Sequence, residues 1–207
     1  MLIVDSHCHS GESWFEPVEV LLSQMDANGV EKAVLIQHMG AYDNSYLMEC
    51  ARRHPGRFAV VALVDAGGPD ALATLEEWAR QGAAGVRLRP AQRSPGPDPL
   101  AIWRGAEELG LVVSSLGELD QFASDDFRYL VAGLSGLPIV IEHLGGVGQA
   151  GEEPPYPLYR KVLELARYPN TYLKVPGLGE ISSRPQVLGR RFGFDSTPPL
   201  IEMAFEA

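Results

Sequence analysis

The sequence repeats one kind of unit, a short apolar run rich in β-forming residues followed by a helix-like stretch. Seven such runs begin 25 to 33 residues apart along the 207-residue chain. They are Leu2–Ser6, Ala33–Gln37, Phe58–Val64, Gly85–Arg89, Leu111–Leu116, Pro138–Glu142 and Thr171–Val175. Strands that alternate with helices are joined by right-handed crossovers and form a parallel sheet. The pattern therefore predicts an α/β fold, and we expect a single domain over residues 1–207.

Start and stop signals bound the helix-like stretches between the runs. Proline, or aspartate at a cap position, precedes most of them, and glycine follows their ends, as is typical of helices. The first predicted helix begins at Pro17 and ends at Asn28-Gly29. Three more cover Asn44–His54 (after an Asp43 cap), Ala71–Gln81 and Leu100–Leu109, and two further helices begin at Pro157 and Pro198.

Two kinds of parallel sheet fit this alternation. A doubly wound nucleotide-binding sheet needs a glycine-rich turn after its first strand, but His-Cys-His-Ser-Gly-Glu stands there instead. A TIM-type (β/α) barrel carries its site at the carboxyl ends of its strands. Polar residues do occupy those positions, namely His7, His9, Gln37, Arg87, Arg89, His143 and Lys174. The sequence therefore favours the barrel.

Charge and composition exclude several classes of function. The net charge of −10 argues against a nucleic-acid partner, which requires clustered lysine and arginine, but it is compatible with a small anionic substrate bound locally. No run approaches the roughly 20 apolar residues of a membrane span, so we expect no membrane partner. The two cysteines make no disulfide framework and no signal peptide is evident, which predicts a cytoplasmic protein.

Two histidines follow the first predicted strand, as His7-Cys8-His9. Residues two apart point to the same face of a strand, so the imidazoles project together while Cys8 faces the helix layer. Such a pair can hold a divalent metal ion, above all zinc, and leave positions for water or substrate. The alternative is that both histidines pack in a polar loop.

Several motifs in fixed order resemble the amidohydrolase superfamily. They are Val4-Asp5-Ser6-His7-Cys8-His9, Val34-Leu35-Ile36-Gln37, Tyr42-x-Asn44-x-Tyr46-Leu47, Pro55-Gly56-Arg57-Phe58, Gly85-Val86-Arg87-Leu88, Ile141-Glu142-His143-Leu144-Gly145-Gly146 and Tyr172-Leu173-Lys174-Val175-Pro176-Gly177. They are most similar to the amidohydrolase-related branch of lactonases and decarboxylases. The resemblance covers essentially the whole chain and implies a TIM-barrel hydrolase, metal-dependent in many members.

The resemblance implies catalytic roles for His7, His9 and His143, and it implies that the same three residues are metal ligands. In the family, histidines after the fifth and sixth strands bind metal or exchange protons, and His143 ends the sixth strand here. The fifth strand ends Val113-Ser114-Ser115 without a histidine, which is closer to lactonase-like members that work with little or no metal. The alternative for His143 is a hydrogen-bonded structural histidine.

Cationic and polar side chains near other strand ends are predicted to bind the substrate. Arg87 and Arg89 share a face of the fourth strand and Lys174 ends the seventh, where they could grip carboxylates. Tyr42 and Asn44 follow the second strand and could line the same site. The alternatives are ion pairs with acidic residues for the cations and a helix cap for Asn44.

The spacing of the runs places an eighth strand at about residues 196–204, where Ser196-Thr197-Pro198-Pro199 favours a helix instead. We therefore expect seven of the eight strands of a barrel that is incomplete at its C-terminus. Asp195 resembles the family's Gly-Ser-Asp turn, but its context favours a loop or a cap. An open barrel leaves unpaired strand edges, so we expect low stability and activity unless a partner copy in a homo-oligomer completes it.

Two classes of function follow from these residues. The first is a hydrolase in which water attacks a small carboxylated ester, lactone or amide, with a non-oxidative decarboxylase on the same scaffold as its enzymatic alternative. The second is a non-catalytic binding module, an inactive truncated barrel or a fragment. Hydrolysis that survives loss of the His7 and His9 imidazoles would count against the first class.

Overall fold

In a computed structural model of the protein, the structure describes residues 1–177, residue 181 and residues 199–207. This part of the chain forms seven strands and nine α-helices. The strands are Val4–Cys8 (β1), Lys32–Ile36 (β2), Phe58–Leu63 (β3), Gly85–Leu88 (β4), Val112–Ser115 (β5), Ile139–Ile141 (β6) and Thr171–Leu173 (β7). The helices are Val18–Ala27 (α1), Ser45–Arg53 (α2), Ala71–Arg80 (α3), Ala101–Glu108 (α4), Leu119–Phe122 (α5), Asp125–Gly133 (α6), Val147–Ala150 (α7), Pro157–Leu163 (α8) and Leu200–Glu206 (α9).

The seven strands follow one another in sequence order, β1 to β7, and the fold class is α/β. The pairs β1–β2, β2–β3, β3–β4 and β6–β7 are parallel, with Ala33 opposite Phe58 and Ile139 opposite Thr171. Sequence order with a helical connection after each strand is the topology of a TIM-type barrel, so the predicted fold class is confirmed. The chain divides into two compact units, and the single-domain assignment stays a prediction.

The first unit comprises residues 1–88 and 92–114. Part of its core lies between β1–β3 and the helices α1 and α2, where Cys8 packs with Val18, Met25, Leu47 and Cys50. Cys8 therefore faces the helix layer, as alternation along β1 predicts. Burial in this core raises the pKa of the Cys50 thiol.

The second unit comprises residues 89–91 and 115–207. Phe122 and Phe127 meet edge to face at 5.2 Å between ring centres, and both are fully buried. The buried Asn170 amide donates to three carbonyl oxygens at the end of α6 and in the turn after it, over 2.9–3.2 Å. This side chain fixes the segment that precedes β7 to the end of α6.

The seven predicted strands and the six predicted helices are all present in the predicted order, with differences at their boundaries. β1 begins at Val4 rather than Leu2, and it extends to Cys8, so that His7 lies within the strand. Three helices were not predicted from the sequence. Two of them, α5 and α6, connect β5 to β6, and the third, α7, follows β6. The helix predicted after Pro198 is present as α9, and Asp195 lies outside the described residues. Within the described ranges, none of the helices combines the length and the apolar character needed to cross a bilayer.

Candidate active site

The His7 and His9 side chains meet at the carboxyl end of β1. A register shift between Asp5 and Cys8 interrupts the pairing of β1 with β2, and the Asp5 carboxylate accepts the His7 amide at 3.0 Å. The Nε2 atoms of the two histidines are 3.2 Å apart, and both side chains are half-buried. The prediction that the two imidazoles project together is confirmed.

The hydrogen bond at Nδ1 of His9 shows which of its two ring nitrogens carries the proton. Its Nδ1 lies 2.8 Å from the carbonyl oxygen of Ile36, the last residue of β2. Because a carbonyl oxygen only accepts, Nδ1 carries the proton, and in the neutral ring Nε2 presents a lone pair toward His7. This is the tautomer that a metal ligand needs, with its other nitrogen held by a carbonyl group.

The spacing of the two Nε2 atoms fits a shared divalent ion. Zinc binds histidine nitrogen at about 2.0–2.1 Å with tetrahedral angles, which separates two ligand nitrogens by about 3.3 Å. The observed 3.2 Å matches that separation. The separation is therefore compatible with one metal ion shared by His7 and His9, and in its absence one Nε2–H can donate to the other nitrogen.

Arg87, which like His7 and His9 belongs to the first unit, is held by a series of hydrogen bonds. Its side chain is almost wholly buried, and Nη1 donates to the carbonyl oxygen of Gln37 at 3.1 Å. Gln37 is itself fixed, since its Nε2 donates to the Asp43 carbonyl oxygen at 2.6 Å and its Oε1 accepts the His38 amide at 2.8 Å. A guanidinium fixed in this way has a set orientation toward any anion that it binds.

Asn44 and Tyr42 differ sharply in exposure. Tyr42 is about half exposed, whereas Asn44 is fully buried. The Asn44 amide donates to the carbonyl oxygens of Tyr42 and Leu63 at 3.1 and 2.9 Å, and its Oδ1 accepts the Leu63 amide at 2.8 Å. These bonds fasten the start of α2 to the end of β3, which is a structural role, and the substrate-binding roles of both residues stay predictions.

Asp43 makes the turn that begins α2. Its carboxylate accepts the hydroxyl and the backbone amide of Ser45 at 2.5 and 2.9 Å. These two hydrogen bonds hold the pKa of the Asp43 carboxyl below its ordinary value. The N-cap residue of α2 is therefore Asn44 rather than the predicted Asp43, whose carboxylate closes a turn one residue earlier.

In the second unit, His143 directly follows a fully buried carboxylate. The Glu142 side chain has no exposed surface, the His143 side chain is 21% exposed, and Oε2 lies 3.6 Å from Nε2. A carboxylate beside an imidazole favours one ring orientation and attracts the ring when it is protonated. Sequence reasoning did not assign a role to Glu142, although the residue stands inside one of the motifs that carry the family resemblance.

The backbone at His143 is left-handed. Four successive residues, His143 to Gly146, have φ of 53°, 51°, 65° and 78°. Left-handed conformation costs a residue other than glycine about 1–2 kcal/mol, and such strain persists mainly at functional sites. The Leu144 amide donates to the Lys174 carbonyl oxygen and the Gly145 amide to that of Glu142, both at 2.9 Å, and these bonds hold the turn.

Gly145 and Gly146 are the last two residues of this left-handed segment. A Cβ at Gly145 would lie 3.0 Å from the Val162 side chain, and one at Gly146 would lie 3.0 Å from the Gly117 carbonyl oxygen. Protein atoms therefore already occupy the space beside both residues. Glycine is needed here for the positive φ and for this packing.

The remaining two cations lie just past strand ends. Lys174 follows β7 and is half-buried, and its amide donates to the Ile141 carbonyl oxygen at 2.9 Å, which fixes it beside the end of β6. Arg89 follows β4 and is exposed. Of the predicted site residues, the structure thus places His7 against His9 and ties Lys174 to the turn that carries His143.

Known proteins resemble this chain in sequence and in fold. The sequence profile of the amidohydrolase family matches residues 5–207. A crystal structure of a candidate 2-pyrone-4,6-dicarboxylic acid hydrolase from Acinetobacter baumannii, with citric acid bound, is similar over 100% of this chain and 77% of that one, at 22% identity and a TM-score of 0.71. A protein of the same description from Pseudomonas putida is similar over 89% of this chain and 72% of its own, at 27% identity and a TM-score of 0.67.

A zinc-bound amidohydrolase from Burkholderia multivorans is also similar in structure. The likeness covers 87% of this chain and 72% of that one, at 22% identity and a TM-score of 0.67. A search of curated proteins finds no match. The chain belongs to the amidohydrolase family. It is accordingly an enzyme of the hydrolase type.

Proposed function

We propose that the protein hydrolyses a small carboxylated lactone, ester or amide. The observation that carries this proposal is the geometry at the end of β1, where His9 is fixed through Nδ1 and its Nε2 lies 3.2 Å from that of His7. Two imidazoles with converging nitrogens suit the activation of water or of a carbonyl group. Membership of the amidohydrolase family supports the same class of reaction.

His7 and His9 would hold a divalent ion, for which zinc is our proposal, with His143 as the third predicted ligand. When bound, such an ion lowers the pKa of water toward about 7 and polarises a carbonyl oxygen. The bound zinc of the B. multivorans protein supports the metal, and the match of the Nε2 separation to zinc geometry supports its place.

His143 is our proposed proton carrier. It follows β6, is partly accessible, and has the buried Glu142 carboxylate 3.6 Å from its Nε2. An imidazole that can take a proton from water and return it to a leaving oxygen would serve both halves of a hydrolysis. The strained left-handed backbone at this residue supports a functional role rather than a purely structural one.

Carboxylate recognition is assigned to Arg87, Arg89 and Lys174, with Tyr42 and Asn44 as predicted neighbours. The buried Arg87 is the strongest of these, because its orientation is fixed through Gln37. Citric acid in the A. baumannii structure is a tricarboxylate, and the names of both pyrone-hydrolase relatives specify a dicarboxylated lactone. Both facts support an anionic substrate.

The test is hydrolysis of 2-pyrone-4,6-dicarboxylate, monitored as the loss of absorbance of its ring. Unsubstituted 2-pyrone is assayed in the same way for comparison, and release of carbon dioxide is measured separately. We expect turnover of the dicarboxylate, and loss of at least about 100-fold in kcat/KM for His7→Ala, His9→Ala and His143→Ala. His54→Ala is the matched control, because His54 lies at the end of α2 against Phe58 and has no assigned role. Turnover that survives the first two substitutions, or release of carbon dioxide instead of hydrolysis, would overturn the proposal.

We also propose that the protein acts in the cytoplasm, on the evidence of two buried cysteines and no disulfide framework. A homo-oligomer is the proposed assembly, which light scattering on the purified chain would test.

A further inference from the structure

The loop that follows His9 is closed on itself. The Ser10 hydroxyl and the Gly11 amide both donate to the Glu16 carbonyl oxygen, at 2.8 and 3.2 Å. Immediately after the loop, the amide of the fully buried Val18 donates to the Tyr46 hydroxyl at 2.9 Å. Both ends of the loop are therefore anchored, and the positions of Trp14 and Phe15 are set by its conformation.

The Phe15 ring stacks on the His9 ring. Their centres are 4.6 Å apart and their planes differ by 20°, and Phe15 is half-buried. The hydrogen bond from His9 Nδ1 to the Ile36 carbonyl oxygen acts in the plane of the imidazole, whereas the stack acts on its face. Together they restrict the rotation that would turn His9 Nε2 away from His7.

The same loop offers a second stacked pair that does not involve His9. Trp14 stacks on His38 with ring centres 5.6 Å apart and planes 27° apart, and it is 80% exposed. Phe15 also touches His38, but in a tilted arrangement at 5.5 Å. Neighbouring aromatic residues of one loop thus stack on two different histidines, only one of which belongs to the site.

We propose that Phe15 is a positioning residue for His9, holding its imidazole in the orientation that directs Nε2 toward His7. The inference rests on the proposed function for its catalytic consequence, but the positioning itself is a property of the folded chain. Residues that orient a ligating histidine change metal affinity or activity by about 10- to 100-fold when they are replaced. We expect an effect of that size from loss of the Phe15 ring.

Three variants separate the effect of the Phe15–His9 stack from the effects of the rest of the loop. Phe15→Leu keeps an apolar side chain but removes the ring, Phe15→Tyr keeps the ring, and Trp14→Leu removes the neighbouring stack as the matched control. We expect Phe15→Leu to lower kcat by about 10- to 100-fold with KM within about twofold, and to weaken zinc binding in a chelator competition by a similar factor. Phe15→Tyr and Trp14→Leu should remain close to the parent protein.

Nuclear magnetic resonance of the histidine ring protons gives a readout that does not depend on activity. A ring stacked at 4.6 Å shields the His9 protons, so their resonances should move downfield in Phe15→Leu and stay in place in Trp14→Leu. Unmoved resonances, an equal loss in Trp14→Leu, or a rise in KM alone would overturn the positioning role. If the parent protein hydrolyses none of the substrates, the proposed function fails, and the chelator competition decides the inference about Phe15, because zinc affinity depends on the direction of His9 Nε2 whereas the resonance shift reports only the stack.

Discussion

Replacing Asn44 by alanine tests whether this residue holds the fold or binds the substrate. The change removes three hydrogen bonds at 2.8–3.1 Å, and two of them satisfy the amide and the carbonyl group of Leu63, which is itself buried. A buried polar group left without its partner costs about 1–3 kcal/mol. Because the Leu63 amide loses the acceptor that the side chain provides and its carbonyl oxygen loses a donor, we expect destabilisation of about 2–4 kcal/mol.

The assay is denaturation by urea and by heat. For a chain of this size, about 1 kcal/mol lowers the melting temperature by about 2–4 °C, so we expect a decrease of about 5–15 °C. Asn28→Ala is the control, because its exposed amide makes one bond, to the Gln24 carbonyl oxygen at 2.8 Å, and its loss should change stability by less than about 0.5 kcal/mol. An Asn44→Ala protein with unchanged stability and a raised KM would refute the structural reasoning and support the substrate-binding prediction.

Further predictions concern the second unit and the buried groups. Asn170→Ala should lower stability by about 2–4 kcal/mol in urea denaturation, because three buried carbonyl groups lose their common donor. The Tyr159 hydroxyl donates to the Leu200 carbonyl oxygen at 2.9 Å, and burial raises the pKa of this phenol. Unfolded tyrosine ionises near about pH 10, so stability relative to Tyr159→Phe should be constant below that pH and fall by about 1.4 kcal/mol per pH unit above it. The buried Cys50 thiol, whose pKa is raised, should react with a thiol reagent at pH 8 only on unfolding. Arg87→Lys should raise KM for a dicarboxylated lactone by about 10-fold or more, with little change for the neutral one.

The repeat of apolar runs predicted the strand order because the period of a β/α unit is a local property of the chain. Each run needs to be only long enough for one strand, and each proline or glycine acts within a few residues. The helices α5, α6 and α7 were not predicted because their local signals are short or incomplete. α5 and α7 are four residues long each, and α6 begins at the Ser124 cap without a proline before it.

The site was predictable where its geometry is local and unpredictable elsewhere. His7 lies in β1 and His9 stands two residues further on, just past the strand end, so their convergence agrees with the strand period. The anchoring of His9 on the Ile36 carbonyl oxygen spans 27 residues, and the burial of Asn44 depends on a strand 19 residues away. No spacing rule reports such contacts, because the partner is brought near only by the packing of neighbouring elements.

The sequence by itself determined the α/β class, the strand order and the chemistry available at the strand ends. Tertiary structure decided which of those polar side chains are fixed and by what. It made His9 a single tautomer, buried Arg87 against Gln37, turned Asn44 inward, and placed a buried carboxylate beside His143. The physical reason is that a local pattern sets the direction of a side chain, whereas its hydrogen bonds and its burial depend on residues distant in the chain.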